Sequence, residues 1–154
     1  MITLTALLSL LPPLAWGSPL TTTLYREVVV PAGPELSAIH AGIAACDPAR
    51  AFPHAVFGSL GLPYRNGAAA LDVGTDYRLK RPVSLGQRLL LTGVSRDTAR
   101  LSMRFNKSLA VHAGELPPAL QRLLPDATAS AVPPAFALST DGRVLSCQLA
   151  GDRR

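Results

Sequence analysis

Charge is scarce in this sequence, and the little there is does not gather. Only 16% of the residues are Asp, Glu, Lys or Arg, against 48% hydrophobic, a balance that excludes an intrinsically disordered chain. The net charge of +5 comes from arginines and lysines scattered singly, which excludes the basic stripe of a nucleic-acid-binding domain and leaves a small anionic ligand as the milder reading. No Gly-rich phosphate loop, Gly-x-Ser-x-Gly elbow or internal repeat is present. His54 and His112 lie far apart with no Cys, His or acid at ligand spacing, so no metal site is expected. No apolar run is long enough for a membrane span, because the leucine-rich start is short and broken by proline.

What is present fits one domain. A length of 154 residues suffices for a single core, and 14 prolines with 12 glycines keep its elements short. The segment 1–17 reads as a hydrophobic leader or signal peptide ending in Ala15-Trp16-Gly17, although no basic residue precedes its apolar run. A buried first segment or a mis-assigned start is the competing reading. Cys46 and Cys147 would form one disulfide in an exported chain and would be two buried thiols in a cytosolic one. Asn106-Lys107-Ser108 is a glycosylation sequon that matters only on export.

Residues 18–154 read as strand, helix, then four strands. "TLYREVVV" is β-branched enough for a first strand. The alanine-rich stretch from Ile39 to Phe57 suits helix but contains Pro48 and Pro53, so either a helix starts at Pro48 with Asp47 as N-cap or two kinked pieces form. From Ala68 to Lys80, Leu71, Val73, Thr75, Tyr77 and Leu79 alternate with polar residues and predict a strand with one buried face. Arg88 to Arg96 and "ARLSMRF" predict the next two strands of an antiparallel meander, and Asp141-Gly142 turns into a last strand, "RVLSCQL". Residues 110–140 read as an insertion before that strand. One helix followed by an antiparallel sheet predicts a two-layer α+β domain.

The order of three segments resembles the hotdog-fold acyl-CoA thioesterases. "IHAGIAACDPARAFPHAVFG" is similar to their central helix, "LDVGTDYRLKRPVSLGQRLLLTG" to a strand, turn and strand, and "DGRVLSCQLAG" to their closing strand. The resemblance implies a hotdog fold, an antiparallel sheet wrapped around a central helix, and hydrolysis of an acyl-CoA thioester to free acid and coenzyme A. It also implies a homodimer, with no cofactor beyond the coenzyme A of the substrate. Carried onto this chain, Asp47 becomes general base or nucleophile, Gly42 the oxyanion donor at the start of the helix, and His40 the residue shaping the turn. Arg78, Lys80 and Arg81 become contacts to the coenzyme A phosphates, for which arginine offers a planar fork.

The residues leave other readings open. Asp47 before Pro48 is also an N-cap, and the three cations are also a solvated strand end. The displaced acid and the helix prolines favour a second function, a catalytically inactive module that binds an acyl ligand or a protein partner and is secreted if the leader is cleaved. The first function places the chain inside the cell.

Overall fold

The computed structural model describes residues 26–86, 89–124 and 135–149, so the leader and its cleavage pattern lie outside the described residues. The fold is α+β: a six-stranded sheet with short helices over one face. Its strands are β1 (Val28–Val29), β4 (Asp76–Ser84), β5 (Leu90–Arg96), β6 (Arg100–Phe105), β7 (Phe136–Leu138) and β8 (Val144–Gln148). They lie in the order β1-β4-β5-β6-β8-β7, and a separate hairpin pairs β2 (Tyr64–Arg65) with β3 (Ala68–Ala69). The sheet is mixed rather than wholly antiparallel, because β1 runs parallel to β4. That pairing follows from connectivity: the chain leaves β1, crosses over through the helices and returns alongside it.

The helix layer is built from α1 (Pro34–Ala44), α2 (Pro48–Ala51), α3 (His54–Phe57) and α4 (Pro118–Gln121). The single central helix expected after Ile39 is instead three pieces, and α1 begins earlier, at a proline suited to a first turn. Three local features impose the breaks. Cys46 takes a left-handed φ of 54°, Asp47 is extended at φ −116°, and Pro53 precedes α3 with ψ 144°. Each ends the α-conformation for a steric reason. The pieces still share a core: Ile39, Ile43, Phe52 and Phe57 are fully buried against Val83, Leu91, Leu101 and Met103 of the sheet. Phe52 and Phe57 meet edge to face at 5.2 Å.

The alternation expected in β6 is realised, with Leu101, Met103 and Phe105 buried and Arg104 exposed. The strand expected over Ala68 to Lys80 is divided. Asn66 and Gly67, at φ 55° and 79°, make the tight turn between β2 and β3. Gly74 at φ 83° then interrupts the chain before β4, leaving Val73 exposed. β4 continues through Arg81-Pro82 to Ser84, beyond the expected stop. It can do so because residues 79–82 bulge outward, four residues of β4 opposite Thr92 alone between the pairs Arg78–Gly93 and Val83–Leu91. A bulge tolerates the missing donor of Pro82, and Lys80 N–H donates instead to Leu60 O at 3.0 Å. Within the expected insertion, Phe136–Leu138 forms β7 and pairs with β8, a strand hidden in sequence by its short length and neighbouring prolines.

Cys46 and Cys147 form a buried disulfide joining the corner after α1 to β8, at a sequence separation of 101. Loop-closure entropy for a span of that size is worth about 4–5 kcal/mol in the chain-entropy view. Replacing both cysteines with alanine is expected to lower stability by about 2–5 kcal/mol in urea unfolding. Denatured, unreduced protein should show no free thiol, and two free thiols would contradict the link.

Tyr64 O–H donates to Phe52 O at 2.6 Å, closing the end of α2 onto β2. Burial pushes its phenol up to about 12. Because the neutral form is the one favoured in the fold, its contribution is full below pH ~10 and lost as pH rises through 12. Absorbance titration of phenolate is expected to show one late-ionising tyrosine, absent in Tyr64→Phe.

Candidate functional site

The two groups of residues singled out in the sequence lie in different layers. His40 and Gly42 are in α1 and Asp47 is at the start of α2, whereas Arg78, Lys80 and Arg81 are on β4. The three helix-layer residues do not line one opening. Gly42 does not open a helix; it lies in the interior of α1, where its N–H belongs to the helical ladder. Its hydrogen side chain serves packing, because a Cβ there would collide with the backbone of Arg50 and Ala51. Asp47 caps α2, its Oδ1 accepting from Ala49 N–H at 3.1 Å. His40 Nε2–H donates to Leu85 O at 2.7 Å. A carbonyl can only accept, so this bond places a proton on Nε2. His40 lines a shallow groove of about 360 Å³ with Ser37, Ala41, Ala44 and, from α4, Ala119 and Arg122; neither Asp47 nor Gly42 reaches it.

The cations on β4 are arranged differently. A groove of about 570 Å³ opens on the sheet face away from the helices, lined by Asp76, Arg78, Lys80, Thr92, Gly93 and Arg104. Arg78 and Lys80 therefore line one groove, Arg81 does not, and Arg104 joins from β6. The register explains Arg104: Arg78 pairs with Gly93, and Gly93 pairs with Arg104. The three stand abreast on successive strands, two arginines across a residue with no side chain. The bulge deepens the groove, and Leu79 and Pro82 supply its apolar wall. A second irregularity in β5, between Leu91 and Gly93, turns Thr92 so that its hydroxyl donates to Arg104 O at 3.2 Å.

None of these three cations is paired within 4 Å with an acid among the described residues. Nearby aspartates are occupied in turns. Asp97 accepts from the N–H groups of Ala99 and Arg100, which hold its carboxyl below the usual range. Asp141 is lowered first by the Ser139 hydroxyl and then by Arg143 N–H, with Arg143 and Arg104 adding a smaller electrostatic pull. Among the described residues, Asp76 is the single carboxylate lining the groove. The arrangement can hold an anion by charge-assisted hydrogen bonds.

Among the described residues, no three or more His, Cys, Asp or Glu side chains are placed to hold a metal ion, and no helix is long and apolar enough to cross a membrane. His54 packs edge-on against Tyr64 at 4.8 Å and His112 pairs with Glu115.

If Asp47 is a cap, Asp47→Asn should leave stability nearly unchanged, and Asp47→Ala should cost about 1 kcal/mol in urea unfolding. Equal losses in both variants would show that the carboxylate charge, and not capping, is what the fold uses. Comparison of the chain with protein-family models, with curated proteins and with solved structures finds no match.

Proposed function

We propose that this chain is a non-catalytic binding domain of an oxidising compartment, which holds an anionic ligand in the groove on the open face of its sheet. The observation that carries the reading is the row Arg78–Gly93–Arg104 with Lys80 beside it, three cations around one concavity that form no ion pair within 4 Å among the described residues. The buried Cys46–Cys147 link supports the compartment, since such bridges persist where thiols are not kept reduced. Of the two functions the sequence suggests, the inactive module fits this geometry better than the hotdog-type acyl-CoA thioesterase. Hydrolysis needs an unpaired N–H at the thioester carbonyl and a base beside the attacking water. Here Gly42 is inside a helix, Asp47 holds Ala49 N–H, and the basic groove lies on the opposite side of the sheet.

Folded protein lacking the leader is expected to show no turnover above the buffer rate on a panel of acyl-CoA esters. It should bind inorganic phosphate by titration calorimetry at low salt, with affinity falling as ionic strength rises and falling about tenfold in Arg78→Ala. Turnover abolished by Asp47→Asn would restore the hydrolase. Absence of phosphate binding would remove the anion reading.

A further inference from the structure

The groove does not end at its cations. A recess of about 10 Å³ adjoins it, lined by Asp76, Gly93, Ser95, Ser102 and Arg104 with Val94 and Val144, so that Asp76, Gly93 and Arg104 border both. The register again shows why: two pairs further along, on the same face, Asp76 stands opposite Ser95 and Ser95 opposite Ser102. The face thus carries two adjacent rows, arginine–glycine–arginine and aspartate–serine–serine. Strands are spaced by ~4.8 Å, so Arg78 and Arg104 are about 10 Å apart at the backbone with a bare glycine between them. Two planar forks can close on one tetrahedral anion from both sides.

The second row has a different chemistry. Ser95 and Ser102 form no side-chain hydrogen bond with another described residue, while Ser146, the next in that row, is engaged by Arg100 at 3.1 Å. A hydroxyl both donates and accepts, and the Asp76 carboxylate only accepts. This row therefore suits a neutral, hydroxyl-bearing group and repels a second anion. Among the described residues no aromatic side chain lines either cavity, so no aromatic ring there offers a nucleobase a stacking platform.

We propose that the groove takes a phosphorylated polyol, with its phosphate between Arg78 and Arg104 over Gly93 and its hydroxyls on Ser95, Ser102 and Asp76. The inference rests on the anion-binding reading above and narrows it. A sugar phosphate in solution and the headgroup of a phosphoinositide share this chemistry.

Titration calorimetry on the full described domain with its disulfide intact separates the two levels. Glucose 1-phosphate is expected to bind at least about tenfold more tightly than inorganic phosphate, the gain of one or two hydrogen bonds. The preference should disappear in the double variant Ser95→Ala/Ser102→Ala, whose half-buried side chains lie outside the hydrophobic core. Arg104→Ala should weaken glucose 1-phosphate by about tenfold or more. Equal affinity for the two probes, or tighter binding of pyrophosphate than of glucose 1-phosphate, overturns the polyol and leaves the anion site standing. No binding of any phosphate compound overturns both. Vesicles of phosphatidylcholine with phosphatidylinositol distinguish the sources: sedimentation with them beyond pure phosphatidylcholine assigns the lipid headgroup, and glucose 1-phosphate binding without sedimentation assigns the soluble compound.

Discussion

The Cys46–Cys147 bond is the constraint around which the domain is organised. Cys46 sits where α1 has ended and the backbone has turned left-handed, and Cys147 is on β8, paired on one side with Leu101 of β6 and on the other with Phe136 of β7. One bond thus fixes the helical corner to three strands at once. Short helices such as α2 and α3, each of four residues, have little stability of their own. They persist because their ends are held: Asp47 and Pro48 start α2, Tyr64 ties its last carbonyl to the β2 strand, and the disulfide anchors the turn before it.

With the described helices over one face, no described helix covers the other face of the sheet, and there the pattern of side chains decides what the protein can do. The bulge opposite Thr92 draws β4 away from β5, while Gly93 leaves the gap unfilled. Substitution at Gly93 is constrained from below as well, since an added Cβ would lie 3.2 Å from Tyr77 O. Asp141 is held in its turn by the Ser139 hydroxyl and Arg143 N–H, and its carboxylate still feels the positive charge of Arg104.

Some of this was legible in the residues. The strict alternation of β6, the turns at Asp97 and Asp141-Gly142, the Asp47-Pro48 cap and the option of a Cys46–Cys147 bridge all rest on local chemistry, and local chemistry is what a sequence exposes. Arg78 and Lys80 were legible as a cationic strand end. Arg104 was not, because only register brings β6 beside β4 through β5, and register depends on bulges that leave no short signature. The catalytic roles expected for Gly42 and His40 rested on a helix beginning near them; it begins at Pro34. A two-residue β1 in parallel pairing and the strand β7 are likewise set by the sheet they join rather than by their own composition.

The central claim is that ligand binding belongs to the open sheet face and not to the helix layer. Mapping amide chemical shifts by NMR while inorganic phosphate is added tests it residue by residue. Shifts should concentrate at Arg78, Thr92, Gly93 and Arg104, with α1 and α4 unmoved. Shifts centred instead on Ser37, His40 and Arg122 would place the site in the helix layer and contradict the claim.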